Sequence, residues 1–428
     1  VCVEREQACA QYGMVAVEDI PAGDVLFSVP RSVLLSPDTS SIGELLKKGQ
    51  QELSGESDNG WVPLLVALLY EYNNPESLWR PYLDIVPDFS QLDLPMFWSS
   101  KEREELLTGT GVVESVNRDL AMMENDFNTK ALPFMQKHSD VFGPQCQSLE
   151  LYKKMVAFIM AYSFTEPRGP GAKQSGKDQG DAGKDEEEDG DDAGTSPPMM
   201  VPLADILNHV ANNNASLNFD VDALRMVTTK DIKKGEEVYN TYGELANSHL
   251  LHMYGFAERY PLNHYDTVDI PMSVVAEVAE EIGDDPKLTA AKLLFLQEQD
   301  LLLEEGAFVV GREGVLTDDE MQGVLKVLAM SASEFEEHAE KEGWSDADSD
   351  TSDGNSLTFD KLPKLPEQWR KILSSCAEVC LERLAGDEQK DCVAMETETS
   401  KMPARERYSL YVRHGQRQLL RQLIAACR

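Results

Sequence analysis

Apolar residues recur along this chain in two rhythms. In GWVPLLVALLYEYNN (60–74), SSKEREELLTG (99–109), residues 113–138 and SLELYKKMVAFIMAYSF (148–164) they return every three to four positions, which predicts helices. The first and last of these are apolar on nearly every side, so both are expected to be buried. Between them WRPYLDIVPDFSQLDLPMFW is interrupted by prolines and reads as an irregular connector. After residue 260 the helical spacing returns in SVVAEVAEEIG, TAAKLLFLQEQDLLLEEG, DDEMQGVLKVLAM, SASEFEEHAEKEG, EQWRKILSSCAEVCLERLA and the final ARERYSLYVRHGQRQLLRQLIAACR. A polar break at 345–356 divides these, and together they predict a helical domain of its own. The last helix carries arginines on one face, which we expect to be an internal, salt-bridged face rather than a contact surface.

Residues 13–36 and 224–242 favour β-branched and aliphatic side chains around short turns, predicting strand, turn, strand in each. Both turns read Asp-Ile, two residues, Gly, acid: Asp19-Ile20 with Gly23-Asp24, and Asp231-Ile232 with Gly235-Glu236. The glycine can take the positive φ such a turn needs, and the acid begins the returning strand. The repeated plan points to one β unit interrupted by a helical insertion, although two unrelated hairpins fit the pattern equally well. The chain opens on VCVEREQACAQYG, already strand-like, so a piece preceding it is expected.

With 428 residues and 47.7 kDa, two or three packed units are expected. A net charge of −37 argues against a nucleic-acid binder, which needs a basic face, and suits either solubility or a basic partner. Residues 166–198 are rich in Gly, Asp and Glu and lack large apolar side chains, so they read as a disordered surface loop. The seven cysteines show neither metal-binding nor disulfide spacing, and unpaired thiols point to a reducing compartment, cytosol or nucleus. The longest apolar stretches fall short of the ~20 residues a membrane helix requires.

The stretch VPLADILNHVANNNASLNFD (201–220) sets an Asn-His pair at the end of an apolar run, in a chain with only seven histidines. A metal reading would pair Asp205 with His209, at helical i, i+4 spacing, and recruit His249 or His252. No HExxH-like motif supports it, so no metal is expected. A nucleophilic triad fails for want of a serine or cysteine in an elbow-like turn. What stands out is a set: Asn208 and His209, Tyr242 in NTYG, Tyr254 in HMYGF, and the AQYGMVA turn at 10–16, which could let a ligand approach the backbone.

With these residues, and with YGMVA, GWVPLL, WRPYL, MFW, GTGV, ADILNH, LLHMYGF and EEGAFVVGRE, the chain resembles SET-domain protein methyltransferases of the Rubisco large-subunit methyltransferase type. The resemblance implies an α+β fold: a SET domain over 1–243, its β core split by a helical insertion at about 42–165 and the acidic loop 166–198, then an all-helical substrate-binding domain over 261–428. It implies S-adenosylmethionine as cofactor, bound by Ala10, Gln11, Tyr12, Gly13, Tyr162, Asn208, His209 and Tyr254. It places Trp61, Thr165, Asp205 and Tyr242 on the substrate side, with Tyr242 catalytic. The implied partner is a protein presenting a lysine, such as the RelA subunit of nuclear factor kappa B, with no direct contact to nucleic acid or membrane, and the implied location is the nucleus, with the cytoplasm as a second place. On their own residues several of these have plainer readings: Tyr254 as a core aromatic, Trp61 as a packing residue, Asp205 as a helix N-cap or a support for the Asn-His turn.

Methyl transfer to an amine is an in-line displacement, so positioning and desolvation carry most of the work. By its position in the family, Tyr242 is expected to place its hydroxyl at the end of a narrow apolar channel, where it orients the lysine nitrogen and assists its proton loss. Two other readings stand beside lysine methylation: histidine methylation, as in an actin-modifying branch of the same architecture, and a non-catalytic peptide-binding module. Gln11, where many relatives carry glycine, is the one departure that favours the last.

Overall fold

The two Asp-Ile turns lie side by side in a computed structural model of the chain, which describes residues 1–4, 9, 12–54, 60–85, 92–167, 196–303, 305–340, 357–397 and 399–428. Ile20 and Ile232 exchange both backbone hydrogen bonds at 2.8 Å. Asp19 accepts from the Lys234 N–H and the Lys233 ammonium, each at 3.0 Å, while Asp231 accepts from the Ala22 N–H at 2.9 Å. Each aspartate thus satisfies donors of the other turn. Gly23 at φ 90° and Gly235 at φ 88° adopt the expected positive φ. A Cβ at either position would meet nothing within 4 Å, so the torsion alone asks for glycine.

The strands around these turns are β1 (Cys2–Glu4), β2 (Gly13–Val15), β3 (Val25–Pro30), β4 (Ser163–Phe164), β5 (Met199–Met200), β6 (Asn208–His209), β7 (Ala215–Phe219), β8 (Ala223–Thr228) and β9 (Glu237–Asn240). They do not form the two self-paired hairpins expected. Instead β2 pairs with β9 in the sheet β1-β2-β9-β6, and β3 pairs with β8 in the sheet β3-β8-β7. The strands on each side of a turn go to different sheets, and each finds its partner in the other copy of the motif. A β unit split in sequence is thereby closed in space. Leu207, Leu224, Met226 and Val238 are wholly buried where the sheets meet, each contributing roughly 1.5–3 kcal/mol by removal from water.

The chain divides into two units, Val1–Leu94 with Asn117–Gly243, and Pro95–Val116 with Glu244–Arg428. In the first, the helices Trp61–Asn73 and Leu149–Tyr162 pack together and are buried almost all round, as their composition requires. The polar exception, Glu71, is fully buried and accepts from the Ser40 hydroxyl at 2.8 Å, the Ser41 N–H at 2.7 Å and the Ser77 hydroxyl at 2.6 Å. The second unit contains the expected helices at Met272–Ile282, Pro286–Glu298, Asp318–Ala329, Ala332–Glu340, Glu367–Arg383 and Ala404–Cys427. It is mostly rather than wholly helical: β10 (Val268–Pro271), β11 (Ala307–Val310), β12 (Gly314–Val315) and β13 (Leu357–Thr358) form a four-stranded antiparallel sheet. At four residues or fewer, these strands are too short to show alternation.

Residues 95–116, within the stretch expected to belong to the insertion, pack with the C-terminal helices. Arg413 donates to the Leu106 carbonyl at 2.7 Å and Gln416 to that of Thr110 at 3.1 Å. The arginines of the last helix do form an internal salt-bridged face, with Arg413 and Arg417 both buried against Asp391. Among the described residues no helix is long and apolar enough to cross a membrane.

Most of the acidic stretch (168–195) and the polar break at 345–356 lie outside the described residues. The chain on either side of 168–195 is held together. β4 pairs with β5, the Ser196 N–H reaches the Glu166 carbonyl at 3.0 Å, and the Glu166 carboxylate holds Arg31 at 2.8 and 2.9 Å. Replacing 168–195 by a short Gly-Ser turn should therefore leave activity intact and Tm unchanged to within about 2 °C, since shortening a closed loop alters its closure entropy only slightly. A large fall in Tm on thermal melting would show that the segment is structural.

Candidate active site

Leu203, at φ 81°, adopts a backbone conformation that side chains other than glycine rarely take. It starts a single 3-10 turn, Ala204–Ile206, from which the chain runs directly into β6. There Asn208 lies opposite Tyr239 and His209 opposite Asn240, in parallel register with β9. This short strand is the centre of the site.

His209 is nearly fully buried, and burial pushes its imidazole down to about 4, so it is neutral at physiological pH. Its Nδ1 accepts the backbone N–H of Tyr242 at 2.9 Å, which leaves the ring hydrogen on Nε2. The Tyr242 hydroxyl turns back to donate to the Leu207 carbonyl at 2.9 Å, and the His209 and Tyr242 rings lie 5.1 Å apart. Tyr242 therefore stands two residues beyond β9, held at both its backbone and its hydroxyl by the stretch 207–209.

Asn208 uses its side-chain NH2 twice, toward the Tyr12 carbonyl at 2.8 Å and Glu237 Oε1 at 2.6 Å. Glu237 also accepts the Cys9 N–H at 2.8 Å and the Tyr239 hydroxyl at 2.9 Å. With both Asn208 hydrogens committed, only Oδ1 is left to meet a ligand. Glu237 escaped the sequence reading. Its signal was a second acid, at the start of a strand and immediately after the acid that the turn explains.

Asp205 does not cap a helix. It sits inside the 3-10 turn, and its carboxylate accepts the Tyr82 hydroxyl at 2.7 Å. Burial pushes the Asp205 carboxyl from its ordinary 3.8 to about 7, although the Tyr82 hydrogen bond pulls the other way. Burial and the nearby Asp205 push Tyr162 up to about 12. Tyr82 belongs to the WRPYL block and had been given no role.

The remaining expected residues are placed as follows. Gly13, in β2, is buried. Trp61 is the first residue of the buried helix Trp61–Asn73, directly after Gly60, whose φ is 71°, and is partly exposed. Thr165 is exposed just beyond β4. Tyr254 belongs to the second unit, on the last turn of the helix Asn247–Tyr254, with its ring 6.3 Å from Phe256. Ala10 and Gln11 lie outside the described residues. The metal reading loses its geometry, because His209 is in a strand and Asp205 in a 3-10 turn, so the two do not share a helix face. Among the described residues no group of three or more His, Cys, Asp or Glu is placed to hold a metal.

The site's titrations have a sign that can be checked. Asp205, an acid whose folded value is raised, stabilises the fold fully below about pH 4 and loses that contribution as pH rises through about 7. His209, a base whose folded value is depressed to about 4, works in the opposite sense between there and 6.5. The difference between the wild type and Asp205→Asn isolates the first. In urea denaturation the variant should gain on the wild type as pH rises from 5 to 8; a constant gap between the two curves would contradict the raised carboxyl.

A SET domain model matches residues 11–243, and a Rubisco LSMT substrate-binding model matches residues 284–420. The N-lysine methyltransferase SETD6 of Homo sapiens is 44% identical over 429 residues, covering 99% of this chain and 86% of that protein. Its Salmo salar counterpart is 43% identical over 430 residues, covering 99% and 92%. Among solved structures, the SET domain of LSMT bound to lysine and AdoHcy and Rubisco LSMT bound to AdoMet each superpose with a TM-score of 0.64 at 19% identity, over 99% of this chain and 86% of theirs. The chain belongs to the SET-domain family, in the group whose members join that domain to a Rubisco LSMT-type substrate-binding domain.

Proposed function

We propose that the chain is a protein-lysine N-methyltransferase, moving a methyl group from S-adenosylmethionine to a lysine side chain of a protein substrate. One observation carries the reading. Within a matched SET domain, Asn208 and His209 are tied by direct hydrogen bonds to Tyr12 on one side and Tyr242 on the other. Relatives sharing 43–44% of their residues over nearly the whole chain bear the name N-lysine methyltransferase, which favours lysine over histidine.

The Asn208 side chain fits a cationic cofactor. Its NH2 is committed, and only Oδ1 is left to offer. An acceptor oxygen suits ammonium or sulfonium charge far better than an anion. Tyr12, Gly13, Asn208 and His209 would hold the cofactor, with Tyr162 added on the strength of the resemblance. S-adenosylmethionine, when bound, supplies a methyl group on a positively charged sulfur.

The attacking amine needs its lone pair, yet a lysine in water keeps its proton to a pKa of ~10.4. Removing it from water lowers that value. Tyr242 gives its own hydroxyl proton to the Leu207 carbonyl, so its oxygen accepts from the lysine N–H and orients the nitrogen without taking the proton. Asp205, Trp61 and Thr165 are assigned to the substrate side on the strength of the resemblance, with the Asp205 carboxyl held by the Tyr82 hydroxyl at 2.7 Å.

The finer reading is a non-histone substrate, with the RelA subunit of nuclear factor kappa B as the candidate, acting in the nucleus. The charge of −37 supports a basic, lysine-bearing partner. Release of S-adenosylhomocysteine should be faster with RelA than with histone octamers or actin, and fluorescence imaging should place the tagged protein in the nucleus. Release with histones or actin alone would refute the finer reading, and release with none of the three would weigh against the enzyme itself.

A further inference from the structure

Glu237 has no part in the chemistry outlined above, yet three stretches of the first unit converge on its carboxylate. It is 8% exposed, at the start of β9. Oε2 accepts the Cys9 N–H at 2.8 Å and the Tyr239 hydroxyl at 2.9 Å, and Oε1 accepts the Asn208 amide at 2.6 Å. Asn208 in turn holds the Tyr12 carbonyl at 2.8 Å. The backbone at Cys9 and the backbone at Tyr12 are therefore tied to one carboxylate, the first directly and the second through a single amide. Every partner donates, so the group must accept on both oxygens. A glutamine has one acceptor oxygen and one NH2, and would set donor against donor on one side or the other.

We infer that Glu237 is a positioning residue for the cofactor: it fixes the backbone at Cys9 and Tyr12 before the cofactor arrives, with the Tyr239 hydroxyl holding the carboxylate in place. The inference rests on the reading of Tyr12, Gly13 and Asn208 as cofactor residues. A site ordered in advance spares the ligand the cost of ordering it, so losing the clamp weakens affinity. The clamp touches neither the Tyr242 hydroxyl nor its Leu207 acceptor, so the chemical step is left alone once the cofactor is bound.

The test compares wild type, Glu237→Gln and Tyr239→Phe by calorimetric titration with S-adenosylmethionine, steady-state kinetics, thermal melting, and amide hydrogen exchange of the peptide containing Cys9 and Tyr12. Glu237→Gln should raise Kd and KM for the cofactor by about tenfold or more, with kcat at saturating cofactor held to within about threefold. Tyr239→Phe, which removes one of the donors to the carboxylate, should raise them about two- to threefold. Exchange at Cys9 should be faster in Glu237→Gln even without cofactor. A folded Glu237→Gln with wild-type affinity, or one that loses kcat at unchanged KM, overturns the inference. Should that variant not fold, wild-type affinity in Tyr239→Phe overturns it alone. If the wild type takes up no S-adenosylmethionine, the cofactor reading of the site falls and the positioning role with it; faster exchange at Cys9 would then show the clamp to be structural only.

Discussion

Tyr242→Phe should lower kcat by more than about tenfold, at least 1.4 kcal/mol in the barrier, while the Kd for S-adenosylmethionine changes by less than about twofold. The split follows from how Tyr242 is held. Its backbone N–H is bonded to His209 Nδ1 and its hydroxyl to the Leu207 carbonyl. Phenylalanine keeps the first bond and the ring contact with His209, so β6 and the cofactor side of the site stay in place. It removes the oxygen that orients the amine. Steady-state kinetics with calorimetric binding decide the matter: near-normal turnover would take Tyr242 out of the mechanism, and a parallel loss of affinity would make it a cofactor residue instead.

The largest expected effect on stability lies in the other unit. Asp391→Ala should cost about 3–5 kcal/mol of unfolding free energy, because it leaves two buried guanidinium groups without their counter-charge. Arg413 holds the carboxylate with two hydrogen bonds at 3.0 Å, and Arg417 donates to the same group. Their side chains are only 7% and 3% exposed, against 11% for Asp391, so water cannot take over. Leu106, Ala385 and Gly386 supply further carbonyl acceptors, which hold the arginines in place but carry no full charge. The exposed pair Arg421–Glu388 is the internal control: Glu388→Ala should cost less than about 1 kcal/mol. Urea denaturation of both variants measures the contrast, and equal small losses would mean the buried cluster is solvated.

The helices were legible because their apolar spacing is long and regular, and the arginine face of Ala404–Cys427 because the chain has acid to spare for it. The two Asp-Ile turns were legible as turns, down to the positive φ of Gly23 and Gly235. Their strand partners were not. Nothing local distinguishes β2 folding back on β3 from β2 pairing with β9, since the choice is made by contacts across more than 200 residues of chain. The sheet of β10 to β13 was missed for the opposite reason, its strands being too short to carry a rhythm. In the site, a known pattern marked Asn208, His209 and Tyr242, and the structure brings them together. Glu237 and Tyr82 went unassigned because an acid or a tyrosine looks alike in sequence whether it faces solvent or a buried donor.

The most direct measurement follows an isotopically labelled methyl group from S-adenosylmethionine into a protein substrate, with mass spectrometry of the modified side chain and a parallel count of S-adenosylhomocysteine. The account predicts label on a lysine nitrogen, one equivalent of S-adenosylhomocysteine per methyl, and loss of most of the signal in Tyr242→Phe. Label on a histidine, or cofactor turnover that survives in Tyr242→Phe, would contradict it.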